Sequence, residues 1–352
     1  MKHVLKKIFV LLLFFMITLS FYDTTEANQV GFSVDPKFPS NQLDKDSGYF
    51  HIQLKPGNKQ QLSIELKNYT DKEITLKTTV ASATTNVNGV VDYTPTTNKT
   101  DNSLPVDLSK LIKIDKEIVL AANETKQVPV FVSMTNEFVP GVIASGISFE
   151  EINSTNQKSL TNQTTVNNKF SYVLALLMQQ EASLDVQPEL NLGKVMAKGI
   201  NTKTSISAYI RNVAPAYLNQ VKIESTLTKK GEDKPFYQYK KENMQLSPNS
   251  VFEFPTFLNG KKLESGEYTY KAVISGVTAE LNNEEREKLT WELEDVFHVE
   301  KKRAKELNDH DYQVDTTKKT STKWLMLAIV LNIVLITSFV SYIFFKKKIS
   351  SN

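Results

Sequence analysis

The chain has no cysteine, four histidines and two tryptophans among 352 residues. Without cysteine there is no disulfide framework and no thiol nucleophile. An exported eukaryotic protein of this length ordinarily carries disulfides. Their absence, with abundant Lys and Asn, points to a bacterial surface that does without them. His51, His298 and His310 stand far apart, and none falls in a His-Glu-x-x-His pattern, which argues against a zinc protease. Gly-x-Ser-x-Gly and Ser-x-x-Lys are missing too, so two common serine mechanisms lose their signatures. No Gly-rich phosphate loop is present. No catalytic residue, metal ligand or cofactor site is assigned.

Long apolar runs are confined to the two ends. Lys2, Lys6 and Lys7 precede an apolar stretch from Ile8 to Leu19, and Thr25 and Ala27 are the small residues ahead of Asn28. That pattern predicts a signal peptide over 1–27. Trp324 to Phe345 carries no charge, and Lys346, Lys347 and Lys348 follow it. This predicts a transmembrane helix over 324–345 and a cytoplasmic tail over 346–352. The expected arrangement is a single-pass type I protein of the cell membrane, with its ectodomain in the cell wall or extracellular space. The formal charge of +3 comes from the ends. The middle of the chain is close to neutral, so no nucleic-acid surface is expected.

Between the ends, alternation dominates. Leu62, Ile64 and Leu66 share one face of a strand; Ile74, Leu76, Thr78 and Val80 repeat the pattern, as do Val128, Val130, Val132 and Met134. Period 2 means half-buried strands, and turn residues bracket them. The order recurs: "QLSIELKN", a short loop and "ITLKTTV" parallel "TSISAYIRN", "VAPAYLNQ" and "VKIESTL". In each, a strand ends at an Asn, Asn68 or Asn212. The fold class expected is all-β, two β-sandwiches plus the membrane helix. Sandwiches are placed at 28–152 and 170–300, joined by a Ser/Thr/Asn/Gln-rich linker at 153–169. Leu104, Leu108 and Leu111 suggest a short helix within 103–112. A helix over 299–307 leads into a polar stalk, and 301–323 is the juxtamembrane segment.

Paired acids are the remaining chemical signal. Asp44 and Asp46 precede Gly48, but an EF-hand counted from Asp44 would need Gly at Tyr49 and Glu at Lys55. A solvated turn and a looser calcium site both stay open.

The stretch "GFSVDPKFPSNQLDKDSGYFHIQLKPGNKQQLSIELKNYTDKEITLKTTVASATTNVNGVVDY" resembles the start of the WxL-interacting surface proteins of Gram-positive bacteria. The resemblance continues at "VPGVIASGISF", "RNVAPAYLNQ", "MQLSPNSVFEFP", "ESGEYTYKA" and "WELEDVFHVEKKRAKELN". It implies a peptidoglycan-binding domain followed by a host-binding domain, both immunoglobulin-like, and partners that bear WxL domains. Ala144 and Ser145 stand where such proteins tend to be richer in Gly. Trp291-Glu292-Leu293 spells W-x-L, yet the motif naming the partner belongs to another fold; here Trp291 reads as a core residue.

The expected function is therefore non-enzymatic binding at the cell surface: to peptidoglycan, to WxL-domain proteins and to host extracellular-matrix proteins. For the wall, Tyr49, Tyr69 and Tyr93 would offer aromatic faces, and Asn41, Asn86 and Asn88 would offer amide hydrogen bonds. The alternative is a protein-docking scaffold that uses sheet edges or the loops "NVAPAYLNQ" and "MQLSPNS".

Overall fold

A computed structural model describes residues 31–96, 100–104, 106, 108–152, 171–278 and 287–314. These fall into two compact units. The first takes Met1–Ala83, Tyr93–Thr97 and Pro105–Leu184; the second takes Thr84–Asp92, Asn98–Leu104 and Asp185–Asn352. The chain therefore passes into the second unit twice before its main entry.

In chain order the first elements are β1 (Phe32–Lys37), β2 (Phe50–Gln53), β3 (Lys59–Asn68), β4 (Ile74–Ser82), β5 (Thr84–Thr85) and β6 (Val91–Asp92). A four-residue helix, α1 (Leu108–Leu111), precedes β7 (Ile112–Lys113), β8 (Glu117–Leu120), β9 (Thr125–Ser133), β10 (Ile143–Ile152) and β11 (Ser171–Gln179). Then come β12 (Leu190–Ile200), β13 (Lys203–Asn212), β14 (Leu218–Lys229), β15 (Tyr237–Leu246), β16 (Ser250–Phe257), β17 (Gly266–Val277), β18 (Lys288–Val299) and helix α2 (Lys301–His310).

The first unit is a sandwich of sheets ordered β1-β3-β9-β7 and β2-β11-β10-β4-β8. Alternation does the sorting. Leu62, Ile64 and Leu66 of β3 and Val128, Val130 and Val132 of β9 point inward, where they meet Ile147 and Phe149 of β10 and Leu174 and Leu176 of β11 in one buried cluster. The second unit has sheets ordered β12-β13-β16 and β15-β14-β17-β18 around its own core. The two units share one plan, with β1-β3-β9 and β8-β4-β10-β11 matching β12-β13-β16 and β15-β14-β17-β18. That order, with the first, second and fifth strands apart from the third, sixth and seventh, is the immunoglobulin arrangement.

The repeated asparagines explain why the two halves look alike in sequence. Asn68 is fully buried at the end of β3. Its amide donates to the carbonyls of Lys72 at 2.7 Å and Ala121 at 2.8 Å, and its Oδ1 accepts from the Thr70 backbone at 2.9 Å. Asn212 ends β13 and donates to the carbonyls of Ala216 at 2.7 Å and Ser247 at 3.0 Å. In both units one side chain closes the loop after the second strand and ties it to the loop before the fifth. Buried backbone carbonyls need such donors.

Several expectations are corrected. Among the described residues the fold is all-β with two short helices, and neither helix is long and apolar enough to cross a membrane, so the expected membrane helix is not part of the described fold. Residues 324–345, the 1–27 segment and the 346–352 tail lie outside the described residues. So do 153–169, but the strands on either side, β10 and β11, pair antiparallel within one sheet. That stretch therefore joins neighbouring strands of the first unit, and the main part of the second unit starts at Asp185, not at 170. The helix within 103–112 shrinks to Leu108–Leu111. The helix expected at 299–307 runs from Lys301 to His310 and belongs to the second unit, burying Ala304 and Leu307 in its core. The start of the supposed stalk is packed as well. Asn308 exchanges hydrogen bonds with the Leu263 backbone at 2.9 and 2.7 Å, and Asp311 accepts from the Thr204 backbone at 2.6 Å.

Candidate functional site

Phe131 is an anomaly on β9. Its neighbours Val130 and Val132 are buried, as alternation requires, so Phe131 falls on the polar face and is 52 % exposed. Strand register surrounds it. Gln61 of β3 lies directly opposite on one side, and Lys113 of β7 on the other. Two residues along, Ser133 faces Lys59. The short helix α1 closes that end, and the Ser133 hydroxyl sits 3.4 Å from the carbonyls of Lys110 and Leu111. Together these residues line a depression of about 430 Å³ with Gln60 and Val132, a size in the range of small-ligand sites.

Charge in the depression has one sign. Among the described residues Lys59, Lys110 and Lys113 line it, and no carboxylate does. All three lysines are exposed, and Lys59 and Lys113 have no ion-pair partner among the described residues. The phenyl ring supplies an apolar platform, and Gln61 and Ser133 supply hydrogen-bonding groups. Gln60 is held in place by Asn41: each amide donates to the other's oxygen at 2.9 Å.

The six sequence-derived candidates fall in both units, Asn41, Tyr49, Tyr69 and Tyr93 in the first and Asn86 and Asn88 in the second. Asn41 contributes only through Gln60, its second amide bond going to the Gln53 carbonyl at 2.7 Å. Tyr49 packs against the first core; burial, and then the nearby Asp44 carboxylate, raises its pKa above the usual tyrosine value. Tyr69 is 51 % exposed, and the Lys67 ammonium lies 4.7 Å from its ring centre. The Tyr93 backbone lies against Gly146, where a Cβ would sit 2.4 Å from the Tyr93 carbonyl oxygen. Asn86 and Asn88 belong to the second unit and shape the β5–β6 turn, with Asn86 Oδ1 accepting from the Asn88 backbone at 2.9 Å. Asp44 and Asp46 make a solvated turn in which the Asp46 backbone donates to Asp44 at 3.1 Å. Among the described residues no three metal-binding side chains converge.

The two docking loops are also tied down. Ala214, Ala216 and Leu218 are buried, as are Met244, Leu246, Ser247 and Asn249. Thr85 caps the second loop by accepting from the Ser247 backbone at 3.0 Å. Trp291 is partly buried against the second core. The lysine-lined depression was legible in one respect only: Phe131 breaks the polar face of its strand.

Solved structures matching the chain share little sequence with it. They include a class 5 fimbriae chaperone, CfaA, at 14 % identity and TM-score 0.30, covering 69 % of this chain and 95 % of that one. The CsuC–CsuE chaperone–tip adhesion subunit complex of Acinetobacter baumannii matches at 12 % identity and TM-score 0.33, covering 68 % and 93 %. The E. coli chaperone DraB matches at 15 % identity and TM-score 0.27, covering 76 % and 96 %. No curated protein matches the chain. Two family models do. The peptidoglycan-binding domain of WxL-interacting proteins matches residues 32–151, and their host-binding domain matches residues 161–309. The second match begins ahead of β11, whose pairing nonetheless places it in the first unit's sheet. The two matches stand in order and take in nearly all of the described residues of both units, and the chain belongs to the WxL-interacting protein family.

Proposed function

We propose that this protein is a non-catalytic binding protein of the bacterial surface whose first unit holds peptidoglycan in the depression over β3, β9 and β7. The depression carries the reading: a phenyl face, an exposed carboxamide, a hydroxyl and three ammonium groups meet on the unit whose family model is named for peptidoglycan. Aromatic faces stack on sugar and peptide groups, and the polar groups bind their amides. The second unit, matched by the host-binding model, faces protein partners: WxL-domain proteins at the surface and host extracellular-matrix proteins. Both units then work outside the cytoplasm.

Co-sedimentation of the whole chain with purified peptidoglycan tests the first part. Lys59→Gln with Lys113→Gln, and separately Phe131→Ala, should move the protein to the supernatant. Equal pelleting of all variants would remove the depression from the reading. Capture of a purified WxL-domain protein by the whole chain, unaffected by those variants, would support separate roles for the two units.

A further inference from the structure

We infer that the depression reads the carboxylate-bearing stem peptide of peptidoglycan and not its glycan. This rests on the wall-binding reading above and names the part of the polymer that is held. The glycan strand is a chain of N-acetylated sugars that is neutral wherever its lactyl groups are amidated by peptide. Free carboxylates sit on the stem peptides. A site for neutral sugar has no use for three ammonium groups, whereas a carboxylate gains charge-assisted hydrogen bonds from each ammonium that it meets.

The spacing fits an extended peptide. Gln61, Phe131 and Lys113 form one rung across three neighbouring strands, roughly 9–10 Å from end to end. Lys59 and Ser133 form the next rung on that face, roughly 7 Å along the strands. A peptide of two or three extended residues covers that distance. It would place a terminal or side-chain carboxylate at Lys113 or Lys59, its backbone amides at Gln61 and Ser133, and a methyl-sized side chain on Phe131. Lys110 extends the positive rim beside Ser133. A phosphate polymer would satisfy the lysines but leave the phenyl ring and the carboxamide without a task, so the peptide is the better fit.

The test is titration of the whole chain, by calorimetry, with four soluble probes. These are a disaccharide-peptide with free carboxylates, the same compound with its carboxylates amidated, a peptide-free oligosaccharide of the glycan, and a glycerol-phosphate oligomer. The free acid should bind at least about tenfold more tightly than the amide, the step that one charge-assisted contact typically gives. Lys59→Gln with Lys113→Gln should erase that preference while the melting temperature is unchanged. Equal binding of acid and amide, or preference for the sugar-only or phosphate probe, would overturn the inference while leaving wall binding in place. Failure of the whole chain to pellet with intact peptidoglycan would instead remove the reading beneath it.

Discussion

Asp101 and Arg211 form a two-pronged ion pair: Arg211 Nε donates to Asp101 Oδ2 at 2.6 Å, and a terminal nitrogen donates to Oδ1 at 3.0 Å. They lie 110 positions apart in the chain but in one unit, because residues 84–92 and 100–104 pack with the second sandwich. The Asp101 side chain is 2 % exposed, while that of Arg211 is 40 % exposed. Ser103 and Asn249 extend the contact, with a 2.9 Å bond from the Asn249 amide to the Ser103 hydroxyl. The early segment is thus part of the second unit's structure.

Removing Arg211 leaves the buried Asp101 carboxylate without its counter-charge. Arg211→Ala should cost roughly 1–3 kcal/mol of stability, between an exposed pair and a fully buried one because the guanidinium is partly solvated. Asp101→Asn, which keeps the shape, should cost less. Urea denaturation of the two variants checks the order. A reversed order, or no loss in either, would show that the pair does not hold the segment.

Acid should weaken the same unit. Burial alone would raise the Asp101 pKa, but hydrogen bonds from Arg211 and Ser103 outweigh it and hold the carboxyl below its usual value. At Asp311 burial is likewise outweighed by backbone donors at Thr204 and Gln313. A lowered native pKa stabilises the fold at every pH above the unfolded value, about 3.9 for Asp. That stabilisation is lost as pH falls through the native pKa. Stability of the whole chain should therefore be flat from pH 7 to about 5 and then decline below about 4. In Asp101→Asn with Asp311→Asn, starting from lower stability, the decline should be shallower. Thermal melts from pH 7 to 3 measure both slopes.

The asparagine clamps should be sensitive to a change of one atom. Asn68→Asp or Asn212→Asp replaces a donor with a carboxylate that faces two backbone carbonyls. Each should destabilise by about 2–4 kcal/mol, from lost bonds and from acceptor facing acceptor. If the clamps are equivalent, the two losses should be similar when each is followed by a probe in its own unit.

Gly146 tests the close approach of Tyr93. An added methyl would lie 2.4 Å from the Tyr93 carbonyl oxygen and 2.5 Å from its Cβ. Backbone atoms cannot swing aside as a flexible side chain does, so Gly146→Ala should destabilise by about 1–3 kcal/mol. Ala144→Gly, two residues away, should leave this contact intact. Chemical denaturation followed by fluorescence from the tyrosines of the first unit reads the difference.

Phe131 offers the opposite case, a large apolar residue whose removal should spare the fold. Phe131→Ala should change stability by no more than about 0.5 kcal/mol, as for other exposed positions, while weakening retention on peptidoglycan. A variant that unfolds and loses retention together would place Phe131 in the packing and not in the binding surface.

Local chemistry determined much of this protein before any tertiary contact was known. Alternation at Leu62–Leu66 and Val128–Val132 decides which side chains point inward, because a strand has a period of two whatever its neighbours are. The asparagines at 68 and 212 mark equivalent loops for the same local reason. What sequence alone did not decide is pairing at long range. Nothing in "SYVLALLMQ" says that β11 joins β10 in the first sandwich, since an alternating strand fits either sheet. Nothing near Asp101 names Arg211. The depression exists only because strand register brings Gln61, Phe131 and Lys113 side by side from three separate segments. Register is set by the burial of whole faces across the sheet, an energy shared by many residues and carried by no short stretch.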